Sequence, residues 1–166
     1  APTTSTILTM ALGDALAVSL MEQRDFKPED FKVLHPGGNL GLQMLTVSQL
    51  MRNKREMAIV KHDLNMSSIV SRMTDTGFGV AVLVDEKGVL SGVITDGDLR
   101  RNINDISTSS PREIATSTPI SVKPNDLVSV ALEKMEKSKV YAIVVTEDDQ
   151  PVGLLRMHDI LRSGIK

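Results

Sequence analysis

The sequence predicts a mixed α/β chain of the α+β type, made of two copies of one β-α-β-β-α unit behind a leading helix and loop. Three observations predict it. The stretch Gly92-Val93-Ile94-Thr95-Asp96-Gly97-Asp98-Leu99 returns 61 residues later as Gly153-Leu154-Leu155-Arg156-Met157-His158-Asp159-Ile160. Each copy follows an apolar run and a polar turn: residues 80–84 before Asp85-Glu86-Lys87-Gly88, and residues 141–145 before Glu147-Asp148-Asp149-Gln150. Nothing before residue 43 takes part in the repeat. A strand–turn–strand–helix unit repeated once implies two copies of one small fold. Each copy is too small to bury a good core, so the two should pack together. The boundaries that follow are 1–42 for the leading segment, 43–106 for the first repeat and 107–166 for the second.

Composition excludes several function classes. The 166 residues allow one or two small domains, and 41% hydrophobic with 24% charged residues fits a soluble globular protein. A net charge of −2 leaves no basic footprint for nucleic acid or an anionic membrane. Three Phe and one Tyr are too few for a base-stacking platform along a single strand. With no cysteine there is neither a disulfide framework nor a thiolate metal site. No His, Asp and Glu cluster has metal-ligand spacing, so no metal or other cofactor is expected. No apolar run approaches the roughly 18 residues of a membrane helix, and no signal peptide is visible. These features agree with a cytoplasmic protein. The chain opens at Ala1 directly before a helix-start pattern, as an excised piece of a longer protein would.

In chain order, Pro2-Thr3-Thr4-Ser5-Thr6 offers N-caps for a helix over residues 7–24. Leu8, Ala11, Leu12, Ala15, Leu16 and Ser19 form one face of it, widened by Ile7 and Val18. So broad an apolar surface needs a covering layer that the sequence downstream does not supply. A connector follows, and then Leu34-His35-Pro36-Gly37-Gly38-Asn39-Leu40-Gly41. Pro36 holds His35 extended, and the glycines allow a sharp turn or a close approach. His35 is either a proton-transfer group at the mouth of that turn or an ordinary loop histidine.

Ala11-Leu12-Gly13-Asp14-Ala15-Leu16-Ala17, Phe26-Lys27-Pro28-Glu29-Asp30-Phe31 and His35-Pro36-Gly37-Gly38-Asn39-Leu40-Gly41 together resemble the end of the sugar-isomerase (SIS) domain of bacterial arabinose 5-phosphate isomerases. Those enzymes interconvert ribulose 5-phosphate and arabinose 5-phosphate, the first step toward the acidic sugar Kdo of lipopolysaccharide and some capsules. They carry a tandem CBS (cystathionine-β-synthase-type) module after that domain. The resemblance implies that residues 1–42 are the remnant of a SIS domain and that His35 belongs to a catalytic site. It implies that the remaining catalytic groups and most of the sugar-phosphate pocket precede Ala1. It further implies a tetrameric parent, held mainly by the missing domain.

The first repeat opens with a short helical stretch over residues 47–51 and a strand over residues 57–60. Asn65 caps a helix whose apolar positions Met66, Ile69, Val70 and Met73 share one face, and Gly77 ends it. The methionines read as core filler. Residues 80–84 and 89–94 are strands about the Lys87-Gly88 turn, and Asp98 starts or sits early in a closing helix through Arg101. Residues 102–110 are a polar linker. The second repeat follows suit. Residues 118–122 are a strand, and Pro124-Asn125-Asp126 caps a helix carrying Leu127, Val130, Ala131 and Met135. Strands over residues 141–145 and 152–155 then lead to a closing helix with Ile160 and Leu161. Each copy reads β-α-β-β-α, which resembles a CBS motif. Two such motifs imply a pair of clefts about a pseudo-twofold axis.

Thr95 and Asp98 stand three residues apart where a strand turns into a helix. Free N–H groups there favour an anion, the hydroxyl can bond a phosphate, and the carboxylate can accept both hydroxyls of a ribose. An adenosine nucleotide needs that arrangement. The same pair is also an ordinary helix N-cap. The spacing resembles the ligand signature of nucleotide-binding CBS modules. In the second copy Arg156 replaces the threonine while Asp159 keeps its place. Arg156 can grip a phosphate, or it can fill its cleft and block it. His62 and His158 read as surface or cleft-edge residues. The expected ligand is an adenine or cytosine nucleotide entering one of two unequal clefts, its base between Val60, Val80 and Ile94. The expected function is the nucleotide-sensing regulatory pair of an arabinose 5-phosphate isomerase, inactive by itself and dimeric through the repeats. Sugar phosphate would bind only in the full-length parent. The alternatives are a stand-alone nucleotide sensor and a purely structural dimerisation module.

Overall fold

The computed structural model describes residues 3–27, 30 and 44–163. It divides into two compact units, Ala1–Gly41 and Leu42–Lys166. His35 and its glycine turn lie outside the described residues.

In the first unit, helix α1 (Thr3–Gln23) is 21 residues long. It begins earlier than the N-cap reading allows: the Ser/Thr cluster is inside the helix, where the Thr9 hydroxyl donates to the Ser5 carbonyl at 2.9 Å. A hydroxyl that bonds back to the previous turn is compatible with helix and need not cap it. The single stripe is also corrected. Ile7, Leu8, Met10, Leu16, Val18 and Leu20 are 50–66% exposed and distributed around the whole circumference. A helix apolar on all sides belongs in the core of a larger fold or in a membrane. By length and composition alone α1 could cross a bilayer, contrary to the expectation from apolar runs.

The second unit contains helix α2 (Val47–Leu50), strand β1 (Arg52–Asn53), strand β2 (Ala58–Lys61), helix α3 (Met66–Thr76), strand β3 (Val80–Val84), strand β4 (Leu90–Thr95) and helix α4 (Asp96–Arg101). Helix α5 (Pro111–Ile114), strand β5 (Ser121–Val122), helix α6 (Val128–Ser138), strand β6 (Ala142–Glu147), strand β7 (Gln150–Arg156) and helix α7 (Met157–Arg162) follow. From β2 to α4 and from β5 to α7 the order is β-α-β-β-α in both copies. In each, the first strand runs parallel to the second and the second antiparallel to the third.

The leading pieces are exchanged between the copies. Strand β1 of the first repeat pairs with β7 of the second, Arg52 opposite Leu154 and Asn53 opposite Gly153. Thr116, ahead of β5, bridges to Val93 of β4 in return. The cores follow the exchange. Val47 sits among Val128, Met135, Ile143 and Leu155 of the second repeat. Ile114 sits among Ile69, Met73, Leu83 and Ile94 of the first. A third cluster, Met57, Val80, Val82, Val144 and Leu154, lies between the two sheets. Strand β3 is therefore buried along its whole length: Ala81 and Leu83 face α3, while Val80 and Val82 face the other repeat. That is the pattern of a strand with both faces covered.

Asn65 caps α3 as expected, accepting from the Ser68 N–H at 2.8 Å, and Gly77 ends it at φ 66°. Met66, Met73 and Met135 are buried in the cores. Helix α6 departs from expectation. Asp126 accepts from the Lys123 N–H in the preceding turn. The N–H of Val128 is taken instead by the carbonyl of Leu45, in the exchanged segment, at 2.8 Å. The buried face is Val128, Ala131 and Met135, whereas Leu127 and Val130 are 41% and 40% exposed. With the cap supplied from far along the chain, local residues do not set where the helix starts.

Candidate functional site

The two strand-to-helix corners face each other across one cleft of about 980 Å³. Both are built the same way. The Asp96 N–H donates to the Gly79 carbonyl at 3.0 Å, and the Met157 N–H donates to the Tyr141 carbonyl at 2.9 Å. Each bond ties the first residue of a closing helix to the loop before the middle strand. The cleft wall includes Val80, Val93, Ile120, Tyr141 and Ala142. Val60 and Ile94, expected against a base, instead lie in the first core at 1% and 0% exposure. Strand alternation turns them toward α3 rather than toward the cleft.

Thr95 is the N-cap of α4 and forms a full capping box with Asp98. The Asp98 carboxylate accepts from the Thr95 N–H at 2.8 Å and from the Thr95 hydroxyl at 2.6 Å, both through Oδ2. Its Oδ1 accepts from Arg101. The cap reading of this pair is therefore realised, and the Thr95 hydroxyl is turned to Asp98. The carboxylate still lies at the cleft, its side chain 10% exposed, whereas that of Arg101 is 70% exposed. Arg100 and Lys139 add positive charge to the same rim.

Asp159 is held differently. Arg156 donates to it twice, Nε to Oδ2 at 2.7 Å and Nη2 to Oδ1 at 2.9 Å. Arg52, carried in on the exchanged strand, donates to Oδ1 at 3.1 Å. The Arg156 guanidinium lies over the Phe78 ring, 4.4 Å from its centroid, and that of Arg52 is 6.0 Å away. Such contacts are attractive because the ring face is negative. The bond from Arg156, against the opposing effect of burial and with help from Arg52, lowers the Asp159 carboxyl to about 2. The Arg156 guanidinium is thus engaged on its edge by Asp159 and on its face by Phe78.

His158 is exposed at the cleft. His62 lies elsewhere, with Nε2 2.7 Å from the Ser91 hydroxyl. Arg101, Arg52 and Phe78 were not expected at the site. Arg101 stands three residues after Asp98 on one helix, a spacing that pairs charges and could have signalled it. Arg52 and Phe78 reach Asp159 and Arg156 only through the exchange and the sheet-to-sheet packing, and no local pattern announces them.

The CBS domain family model matches residues 47–105 and 112–166. The arabinose 5-phosphate isomerase KdsD of Pseudomonas aeruginosa is 41% identical over 170 residues, 99% of this chain and 52% of that protein. KdsD of Escherichia coli K12 is 37% identical over 169 residues, and the isomerase KpsF of Escherichia coli 38% over 164. The chain spans about half the length of the curated relatives it matches. Among solved structures, CBSX2 in complex with AMP superposes with a TM-score of 0.65 at 19% identity, over 72% of this chain and 95% of that one. The CBS domain protein PAE2072 from Pyrobaculum aerophilum, complexed with AMP, gives 0.63 at 24%, over 69% and 89%. These likenesses show the fold. With both repeats matched by the family model, their strand order reproduced and their leading segments exchanged, the chain belongs to the CBS domain family, and it resembles arabinose 5-phosphate isomerases along nearly all of its own length.

Proposed function

We propose that this CBS pair senses an adenine or cytosine nucleotide and regulates an arabinose 5-phosphate isomerase of which it is one part. The observation that carries the reading is the Asp98 corner: a nearly buried carboxylate at a strand-to-helix turn, facing a cleft and covered by one exposed guanidinium. When Arg101 swings away, Oδ1 is free to accept ribose hydroxyls, and the released guanidinium is available to a phosphate. Thr95 then serves as the brace that aims the carboxylate, and the phosphate falls to Arg101, Arg100 and Lys139. The AMP complexes of CBSX2 and PAE2072 favour adenine, with Val80 and Tyr141 at hand for the base. The test is calorimetric titration of AMP, ATP and a CMP-linked sugar. A micromolar complex, roughly −8 kcal/mol, should weaken on the order of tenfold or more in Asp98→Ala, because hydrogen bonds to charged groups are worth about 1.5–3 kcal/mol. Neither heat nor thermal shift at millimolar ligand would leave the pair as a structural module with an ordinary helix cap.

The isomerase part rests on the relatives. We place His35 in its catalytic site as one proton-transfer group and assign sugar-phosphate binding to the longer protein, so the 166-residue chain alone is inactive. Turnover of ribulose 5-phosphate by this chain would overturn that. In the full-length enzyme, His35→Ala should depress kcat while leaving the fold intact, and an unchanged kcat would remove the role. Residues 1–42 are then the end of the SIS domain, whose other layers cover α1, and the protein is cytoplasmic. Recovery of the full-length protein in the membrane fraction would contradict both statements. Dimerisation through the repeats covers Leu127, Val130 and Leu161, which are 40–55% exposed. The parent is a tetramer. Light scattering that returns a monomer for this chain, or any state other than a tetramer for the parent, would refute the corresponding assembly.

A further inference from the structure

We propose that Arg156 is a built-in substitute for the ribose of a second nucleotide, so that the pair takes one nucleotide per chain, at Asp98, and the identity of residue 156 sets that number. The proposal rests on the reading of Asp98 as the ribose acceptor. The two corners are copies of one structure down to the backbone bond from the first helical residue, 3.0 Å at Asp96 and 2.9 Å at Met157. Asp98 and Asp159 occupy equivalent places, at 7% and 9% exposure. What differs is the guanidinium on each.

A vicinal diol offers a carboxylate two neighbouring hydrogen-bond donors. One edge of a guanidinium offers two parallel donors in the same manner. Arg156 makes that presentation to Asp159, reaching Oδ2 at 2.7 Å and Oδ1 at 2.9 Å. Arg52 adds a third donor at 3.1 Å. Arg156 is 22% exposed and stacked on Phe78, so it is fixed on both its edge and its face. At Asp98 the equivalent of Arg156 is Thr95, which binds the carboxylate from within the helix cap. The guanidinium there comes from Arg101, on the last turn of α4, touches Oδ1 alone and is 70% exposed. An exposed ion pair of this kind contributes little and exchanges readily. A bidentate pair closed in by a ring and a second arginine does not. Removing Arg156 would leave Asp159 charged, nearly buried and short of donors, which is the condition that a ribose relieves.

The experiment is native mass spectrometry and calorimetry of the full chain with AMP, and with CMP in parallel. The wild type should bind one equivalent per chain. Arg156→Thr recreates the Thr-x-x-Asp pattern of the first repeat and should bind two, the second lost again on adding Asp159→Asn. Two equivalents on the wild type would overturn the proposal, as would one equivalent on a folded Arg156→Thr. Should Arg156→Thr fail to fold, Asp98→Asn decides the matter: its single equivalent should bind on the order of tenfold more weakly or worse, and an equivalent bound with unchanged affinity overturns it. A wild type that binds neither nucleotide retires the reading of Asp98. Arg156→Thr then still tests the plug, with one equivalent gained supporting it and none refuting it.

Discussion

Asp98 and Asp159 are one residue of the repeat in two electrostatic settings, and each supports a prediction. At Asp98, Arg101 covers the carboxylate in the free protein and is the proposed phosphate partner in the complex. Arg101→Gln should therefore act in opposite directions on two ligands. Adenosine, which lacks a phosphate, should bind several-fold tighter because no ion pair has to open first. AMP should bind roughly tenfold weaker for want of a charge-assisted bond. Titration of both ligands into both proteins reads the pair of effects, and a parallel change for the two would show that Arg101 does not exchange. At Asp159 the prediction concerns pH. Its carboxyl is lowered from 3.8 to about 2, with Arg156 the largest cause. A depressed folded value contributes stability that is present above 3.8 and is lost as pH falls from 3.8 toward 2. The difference corresponds to about 2 kcal/mol. Asp159→Asn should lower the unfolding free energy by about that amount at pH 6, with the gap closing near pH 2. Denaturant titrations at the two pH values check it, and a gap independent of pH would mean that charge is not what Asp159 contributes.

At the scale of elements, the glycines that open the repeated stretch are explained by the exchanged segments. A side chain at Gly153 would lie 2.6 Å from the Met51 Sδ and 2.8 Å from the Arg52 carbonyl oxygen, so β1 could not keep its place on β7. At Gly92 the corresponding approach is looser, 3.2 Å to the Thr116 carbonyl oxygen and 3.3 Å to the Ala115 Cβ. Overpacking typically costs about 1–3 kcal/mol. Gly153→Ala should fall in the upper part of that range and Gly92→Ala in the lower part, as thermal melts of the two variants would show. Equal losses would mean that the exchanged segments are not what the glycines accommodate. The same comparison marks how far the sequence could be read. The strands of the two β-α-β-β-α units, the α3 cap and the paired corners were legible because each depends on residues a few positions apart, whereas β1 forms only against β7 of the other repeat. The start of α6 was not, because its cap is the Leu45 carbonyl, and the face of Leu127 and Val130 was misassigned with it. The plug on Asp159 was half legible: Arg156 was visible as a departure from the first copy, whereas Arg52 and Phe78 come from the other repeat.

At the scale of the whole CBS unit, the exchange decides how the pair unfolds. Val47 precedes every strand of the first repeat, yet it is fully buried in the core of the second. Around it, the N–H groups of Val47 and Ser48 donate at 2.9 Å to the carbonyls of Asp126 and Pro124. Ile114 makes the reciprocal insertion into the first core, and Met57, Val82, Val144 and Leu154 join the two sheets face to face. Neither repeat can therefore lose its core without stripping a piece from the other, and the linker over residues 102–110 is not a seam. We predict one cooperative transition for the CBS unit. Val47→Ala deletes about two buried carbons and should cost about 2 kcal/mol. Although the lesion sits in the second core, it should lower the midpoint for both repeats together. Hydrogen exchange under mild denaturant would follow β3 in the first repeat and β6 in the second separately. Equal loss of protection in both strands is the expected result. Loss confined to β6, with β3 still at its wild-type protection, would show that the repeats unfold independently and that the exchanged segments only decorate two self-sufficient cores.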